Sequence, residues 1–350
     1  MTGRRLRSPV AALLAGLAAA CSHTPPAPTW QSIDVRAAAT PLFPDRPEDR
    51  RIGDLTFRGG LVLDSDAPQF GGFSGLVVDA QGRLTAVSDQ GSWLSARLSF
   101  DARTGDLVGL TQTRMAALRN ERGEPLAPNR QTDAEELTRL PDGRFAVSFE
   151  QDHRILIYDL TGKGPAAPAT PGPPVALPEG ALDNEGLEAL TALPDGRLVA
   201  LEEFPPAGAG TPFWVFSGDA TTAPAPAGRA ERPAGYGMSG LARLPTGDLV
   251  GLERFYQARS SVLRINVRLI PVAGLTATPA TVDGPVVATL EAPATVDNFE
   301  AVAAVAGDRP DMVRLYIMSD DNFSSAQRTL LLAFDLALPD HAAPVRRRGR

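Results

Sequence analysis

Five segments of the chain repeat one pattern of apolar and polar positions. Each begins with a small or acidic residue, continues as an apolar strand, turns tightly at a glycine, and ends as a second strand with an acid. The copies read FSGLVVDAQGRLTAVSD, AEELTRLPDGRFAVSFE, LEALTALPDGRLVALEE, MSGLARLPTGDLVGLER and FEAVAAVAGDRPDMVRLYIMSD. Their turn glycines lie 61, 53, 51 and 60 residues apart. Repetition of strand-like segments at this period is typical of a β-propeller, in which each repeat forms one blade.

The pattern predicts an all-β fold, a β-propeller of five four-stranded blades. Six blades stay open as an alternative, because the stretches from Thr113 to Thr132 and from Ile270 to Ala294 are long enough to hold further strands. The last blade has three strands of its own. We therefore expect the segment DLTFRGGLVLD at 54–64 to supply the fourth strand and close the ring, which removes an exposed sheet edge.

The first 21 residues predict a signal for export. Three arginines at positions 4, 5 and 7 precede an apolar stretch from Val10 to Ala20 that is too short to span a bilayer. Cys21 follows, and this junction resembles the lipobox of bacterial lipoproteins, in which the cysteine is lipidated after cleavage. A plain secretory signal is the alternative. We expect a periplasmic or cell-envelope lipoprotein of a bacterium that touches the membrane only through its lipid anchor.

Composition changes along the rest of the chain divide it into three further parts. Residues 22–51 are rich in proline and alanine and are predicted to be a tether, residues 52–338 the propeller, and residues 339–350 a basic tail. Cys21 is the only cysteine, so no internal disulfide can form. We expect a monomer.

The acidic net charge of the chain argues against some classes of binding partner and substrate. Removal of residues 1–20 takes away three arginines and no acid, so the formal net charge changes from −7 to −10. An acidic surface of this kind argues against nucleic acid as a partner, because nucleic-acid binding requires a basic footprint. It also disfavours a polyanionic substrate unless a metal ion reverses the charge locally.

Acids recur in phase with the repeat. The first strands begin with Ser74, Glu135, Glu188, Ser239 and Glu300, and the second strands end with Asp89, Glu150, Glu202 or Glu203, Glu253 and Asp320. Equivalent positions in successive blades converge on the propeller axis, where closely packed carboxylates need a cation or protons. Three interpretations stay open: solvated or arginine-paired acids, a site for a hard cation such as Ca²⁺, and metal-free acid/base catalysis by a carboxylate pair.

Other chemistries are limited by what the chain contains. Its three histidines are at positions 23, 153 and 341, too few and too scattered for a histidine-rich zinc or copper site. Ser74 and Ser239 lack an evident base and are expected to be small inner-strand residues or hydrogen-bond donors. The turn acids Asp142 and Asp195 follow prolines in Pro-Asp-Gly turns, where aspartate caps its own turn, so we assign them a structural role.

Several longer phrases resemble one family. FGGFSGLVVDAQGRLTAVSDQG, TDAEELTRLPDGRFAVSFEQDHRILIYD, DNEGLEALTALPDGRLVALEE, DNFEAVAAV and YIMSDDNF are similar to the phytase-like proteins described as having esterase-like activity of phytase. The resemblance covers roughly residues 54–336. It implies an exported β-propeller rich in acids, with phosphodiesterase-like or phosphatase-like action on a small phosphate ester.

The resemblance also implies roles for the phased residues. Ca²⁺ or a similar ion would be held by several of Glu135, Glu136, Glu185, Glu188 and Glu300. One of Asp89, Glu150 and Asp320 would be the general base, and the substrate would be contacted by Arg254, Glu202 and Glu253. Two alternatives stay open: a non-catalytic envelope propeller with a structural cation, and a lactonase-like carboxyl ester hydrolase.

Overall fold

The computed structural model describes residues 29–127, 130–177, 186–203, 210–218, 221–230, 232–275, 280–282 and 284–338. The predicted signal peptide, Cys21, the candidate ligand Glu185 and the basic tail lie outside these residues. In the described part of the chain, no helix has the length and apolar character needed to cross a membrane.

The described residues form 24 strands and one short helix. The N-terminal strands are β1 (Gln31–Ser32), β2 (Arg36–Ala39), β3 (Arg51–Ile52) and β4 (Leu55–Asp64). The first two repeats give β5 (Phe73–Val78), β6 (Arg83–Ser88), β7 (Ser92–Phe100), β8 (Leu107–Ala117), β9 (Ala134–Arg139), β10 (Phe145–Phe149), β11 (Arg154–Tyr158) and β12 (Thr170–Pro171).

The other repeats form the remaining elements. They are β13 (Ala189–Ala192), β14 (Leu198–Leu201), β15 (Thr211–Phe216), β16 (Gly228–Ala230), β17 (Tyr236–Arg243), β18 (Leu249–Gln257), β19 (Val262–Ile270), α1 (Val272–Leu275), β20 (Ala280–Val282), β21 (Val286–Glu291), β22 (Phe299–Ala306), β23 (Met312–Ser319) and β24 (Thr329–Ala337).

The strands build five sheets arranged in a ring, which confirms a five-bladed β-propeller. Blades 1 to 4 contain β5–β8, β9–β12, β13–β16 and β17–β19 with β21, and each is an antiparallel sheet in chain order. β20 adds to blade 3 beside β16 in a parallel pairing. The innermost strands β5, β9, β13, β17 and β22 stand side by side around the axis, and β22 contacts β5.

Blade 5 closes the ring as the sequence predicts. It is built from β22, β23 and β24, and β4 from the N-terminal end pairs antiparallel with β24, for example Leu331 with Leu61. This pairing covers the open edge of β24 with a strand from the other end of the chain.

Residues before the propeller also pack on it. β1 pairs with the outer strand of blade 1, β2 and β3 pair with β4, and Leu42 is fully buried. The chain from Gln31 onward therefore differs from the predicted tether. The proline and alanine content of this segment does not indicate its short strands, because these strands form only by pairing with edge strands of the propeller.

The core lies between the blades, where apolar side chains of alternating strand positions interdigitate. Between blades 1 and 2, the Trp93 ring meets the Tyr158 ring edge-on at 5.2 Å between centroids. Near the axis the inner strands approach so closely that a side chain would not fit. A Cβ at Gly75 would lie 2.5 Å from the amide nitrogen of Leu137, and one at Gly240 would lie 2.3 Å from the carbonyl oxygen of Glu300.

Candidate metal and active site at the propeller axis

In four of the five blades, as far as the structure describes them, a residue near the start of the inner strand lies in a β-bulge. The pairing of each first strand with its second strand skips one residue, and the skipped residues are Ser74, Glu135, Ser239 and Glu300. A bulge interrupts the alternation of side chains and redirects the extra residue, and bulges are frequent beside active sites. The repeat in the sequence thus corresponds to a repeated backbone irregularity at one end of the inner strands. We call this end of the propeller axis, where Ser74, Glu135, Ser239 and Glu300 lie, the acidic mouth.

Acids from four blades face one another at the acidic mouth. The carboxylates close enough to influence one another electrostatically are Asp89, Asp133, Glu135, Glu150, Glu188, Glu203, Glu300 and Asp320. Blade 4 contributes the cation Arg254 instead. The structure therefore brings together most of the phased acids that the sequence singles out.

Burial and mutual repulsion raise the pKa values of these acids. Burial is the larger cause for Asp89, and the nearby Asp133 and Glu300 add to it, which raises the pKa of Asp89 to about 7. Burial likewise raises the pKa of Glu150 to about 7 and that of Asp320 to about 8. The pKa values of Glu135 and Glu188 are raised well above the ordinary range by burial and by neighbouring acids. Charge of this density needs protons or a cation.

Three carboxyl groups of blade 2 form the tightest group. Oxygen atoms of Asp133, Glu135 and Glu150 all lie within 4.8 Å of one another, so that this cluster could hold a metal ion. The loops fix it in place: the amide nitrogen of Gly186 donates to Glu150 Oε1 at 2.7 Å, and the side-chain amide of Gln151 donates to Asp133. All three ligand atoms are carboxylate oxygens, which suit a hard cation such as Ca²⁺ better than a transition metal.

The opposite side of the acidic mouth is neutralised by Arg254. Its guanidinium lies 2.6 Å from Glu203 and 2.7 Å from Glu300, and Glu300 also accepts a 2.9 Å hydrogen bond from the side-chain amide of Asn298. The two sides of the site therefore differ in charge. Among the described residues, no arginine forms a salt bridge with the blade 2 cluster, whereas Glu203 and Glu300 share one.

Two residues that the sequence places in the site, Glu136 and Glu253, make their contacts away from the acidic cluster. Glu136 accepts hydrogen bonds from the amide nitrogens of Leu137 at 2.8 Å and Leu241 at 2.9 Å, so it links two inner strands from a fully buried position. Glu253 is paired with Arg268 through two contacts of 2.7 and 3.0 Å. Both carboxylates are satisfied by protein groups outside the acidic cluster. Strand alternation explains Glu136, because its neighbour Glu135 occupies the bulge.

The remaining predicted residues have simple positions. Glu202 is buried beside Arg232, with which it interacts electrostatically. Ser239 donates a 3.1 Å hydrogen bond to the carbonyl of Phe299, and Ser74 donates to the carbonyl of Ala134. Each serine therefore joins its blade to the residue before the inner-strand acid of the next blade. This geometry agrees with the expected role as hydrogen-bond donors.

Sequence reasoning missed two residues of the site, Asp133 and Asn298, and left Glu203 as an alternative to Glu202. Asp133 and Asn298 each lie two positions before an inner-strand acid, Glu135 and Glu300. The phrases D-A-E and N-F-E therefore contain a sequence signal for these two site residues. A residue two positions before the bulge still lies at the acidic mouth. Glu203 could not be separated from Glu202 without the structure.

The sequence model of the family called Phytase-like, esterase-like activity of phytase, matches residues 68–323. None of the curated proteins matches the chain. Among solved structures, a luciferin-regenerating enzyme is similar at 13% identity with a TM-score of 0.36, over 78% of this chain and 94% of that chain.

Two other solved structures are similar at the same low level. A virginiamycin B lyase from Staphylococcus aureus has 9% identity and a TM-score of 0.34 over 82% of each chain. The tail fiber of Staphylococcus aureus phage P68 has 13% identity and a TM-score of 0.39, over 82% of this chain and 53% of that chain. Likeness at this level says nothing about the reaction.

Fold and site together define a class: five-bladed propellers with a buried acidic cluster at one mouth of the axis. Because the family model covers most of the propeller, the chain belongs to the phytase-like family described as having esterase-like activity of phytase.

Proposed function

We propose that the protein is a cation-dependent ester hydrolase that acts on small phosphate esters at the acidic mouth. The observation that carries this proposal is the cluster of Asp133, Glu135 and Glu150, whose oxygen atoms lie within 4.8 Å of one another. Family membership supports ester hydrolysis as the reaction. The phosphate ester as substrate rests on the resemblance and on the chemistry below.

The donor set suits Ca²⁺. Asp133, Glu135 and Glu150 would hold it, and Glu188 lies near enough to Glu135 and Glu150 to interact with both. A bound cation would offset the repulsion between an anionic ester and the acids, and would polarise the phosphoryl oxygen. This role explains how an acidic site could accept an anionic substrate.

Asp89 is the best placed general base. It lies across from Asp133 and Glu300, is partly exposed to solvent, and has a pKa raised to about 7 by burial and by these neighbours. A carboxyl group with such a pKa can take up and release a proton near neutral pH. Asp320, whose Oδ1 accepts a 2.7 Å hydrogen bond from the amide of Asn322, is more deeply buried.

Arg254 would provide the second positive charge of the site. It lies on the side opposite the blade 2 cluster and remains 20% exposed while paired with Glu203 and Glu300. A phosphoryl group between the two sides would meet a cation on each of them. The export signal and Cys21 anchor predicted from the sequence would place this activity in the cell envelope.

Turnover of three esters tests the proposal. The purified full chain is incubated with p-nitrophenyl phosphate, bis-p-nitrophenyl phosphate and p-nitrophenyl acetate, with Ca²⁺ and with a chelator. We expect Ca²⁺-dependent hydrolysis of a phosphate ester, and a fall in kcat of about 10²-fold in Asp89→Asn. Asp195→Asn, a turn acid of blade 3 at the hairpin end away from the acidic mouth, is the matched control.

The outcomes separate the alternatives. Hydrolysis of p-nitrophenyl acetate alone would show that the substrate is a carboxyl ester and not a phosphate ester. Absence of turnover with all three substrates, together with intact Ca²⁺ binding, would indicate a propeller with a structural cation and would overturn the proposal.

A further inference from the structure

A polar cavity lies on a face of blade 1, and none of the acids of the acidic mouth lines it. Its volume is about 510 Å³. We call it the arginine pocket, and it is lined by Ser32, Arg83, Ser95, Ala96, Arg97, Gln112 and Arg114. Three of the seven residues are arginines and none is acidic, although the chain carries a formal net charge of −7.

The arginines are held close together by strand register. Arg83 of β6 lies directly opposite Arg97 of β7, and like charges at such positions are destabilising. Among the described residues, none pairs in a salt bridge with Arg83, Arg97 or Arg114. Two exposed arginines of the turns in blades 2 and 3 differ from these three exposed arginines, since Arg144 and Arg197 each pair with an aspartate. An anion between the strands would relieve the repulsion.

A serine hydroxyl group also lines the arginine pocket. Ser95 lies two positions before Arg97 on the same face of β7 and is only 6% exposed. Within the described ranges its hydroxyl makes no hydrogen bond to another residue. This hydroxyl is therefore available to donate a hydrogen bond to a ligand or to water in the cavity.

The backbone is irregular at the same place. The pairing of β7 with β8 shifts between Ser95 and Arg97, and Gln112 on the bulged strand has a φ of 53°. A left-handed conformation is uncommon for residues other than glycine and is found at functional sites. The bulge places Gln112 on the wall of the pocket. Arg114 is supported by the Trp30 ring, whose centroid is 4.6 Å from the guanidinium carbon.

We propose that the arginine pocket binds an oxyanion of the phosphate or sulfate class. Guanidinium groups donate paired hydrogen bonds that match such anions, and the hydroxyl of Ser95 and the amide of Gln112 add neutral donors. The site is independent of the acidic mouth. Its ligand is a free anion or the phosphate headgroup of an anionic lipid, which share this chemistry.

Calorimetric titration of the full chain with inorganic phosphate, in a chelator so that no cation occupies the acidic mouth, tests the proposal. We expect saturable binding of one phosphate that weakens with added salt. The double variant Arg83→Gln with Arg97→Gln should weaken binding at least about tenfold, and Ser95→Ala should weaken it severalfold. The double variant Arg103→Gln with Arg122→Gln changes the net charge equally at exposed positions outside the pocket and should bind as the unaltered chain does.

Binding to lipid vesicles distinguishes a lipid headgroup from a free anion as the ligand of the arginine pocket. Binding to phosphatidylcholine vesicles that contain phosphatidylglycerol, lost in the Arg83 and Arg97 double variant, would assign the pocket to lipid headgroups. Phosphate binding without vesicle binding would assign it to a free anion. The proposal is overturned if the unaltered chain binds neither, or if the pocket variants bind as tightly as the control variant.

Discussion

The two ends of the inner hairpins both contain acidic residues, but the pKa values of these residues are lowered at the turn end and raised at the acidic mouth. At the turn end, Asp142 accepts a 3.0 Å hydrogen bond from the amide of Arg144 and pairs with its guanidinium at 2.7 Å, and Asp195 does the same with Arg197. Hydrogen bonds from the following backbone amides lower the pKa values of both aspartates. At the acidic mouth, burial raises the pKa values of Glu135 and Glu188.

The difference shows how a repeated acid can be assigned a role. A turn acid is satisfied by its own backbone and by an arginine two residues later, so the presence of Asp142 and Asp195 in their Pro-Asp-Gly turns is explained by folding alone. The acids of the mouth face other acids, and folding alone gives them no reason to be there. Environment rather than position in the repeat therefore separates structural acids from candidate functional ones.

Glu253 is the most informative residue for this comparison, because it lies near the end of its repeat phrase as Glu150 does but is satisfied by protein groups. Glu253→Gln should lower the free energy of unfolding by about 3 kcal/mol, because it removes one charge of a buried ion pair with Arg268. Denaturant unfolding measures this loss. Ca²⁺ binding by the folded variant should be unchanged, and a weakened ion affinity at full stability would instead place Glu253 in the site.

The fold was largely predictable from the sequence. The repeated phrase predicts five blades, and the three-stranded last repeat predicts closure by a strand from the N-terminal end, which β4 confirms. Turn chemistry is local, so Pro-Asp-Gly is sufficient to assign Asp142 and Asp195. The strands before the propeller were not predictable, because β1 and β2 gain their hydrogen bonds only from the edges of distant strands.

The site was predictable in location but not in detail. Convergence of phased acids follows from the symmetry of a propeller. Which of two adjacent glutamates faces the cluster depends on the bulge that skips Glu135, and strand alternation then directs Glu136 to Leu241. The arginine that neutralises one side comes from blade 4, far away in the sequence. Neither feature has a local sequence signal.

The pH dependence of stability should differ between the two ends of the hairpins. The mouth acids have pKa values raised to about 7 or 8 in the folded chain, so the stability they contribute is greatest below their unfolded pKa values and is lost as pH rises through the folded ones. Without Ca²⁺, the melting temperature should therefore fall by a few degrees from about pH 5 to about pH 8. Added Ca²⁺ should reverse the fall at the higher pH. A melting temperature that rises over this range in chelator would contradict the assignment.

The smallest effect is expected at the turn acids. Asp142→Asn should lower the free energy of unfolding by less than about 1 kcal/mol, because the pair with Arg144 is exposed and asparagine can still accept the backbone hydrogen bond. Thermal unfolding of this variant beside Asp195→Asn measures it. A loss of activity in either variant would show that the turn end also takes part in function.

The most direct measurement is a Ca²⁺ titration of the unaltered chain and of Glu135→Gln, with Asp142→Asn as the control. The predicted result is saturable binding by the unaltered chain and the control, and an affinity at least about tenfold weaker in Glu135→Gln, because one of three clustered carboxylates is removed. Equal affinity in all three proteins, or no Ca²⁺ binding by the unaltered chain, would contradict a cation site at the acidic mouth.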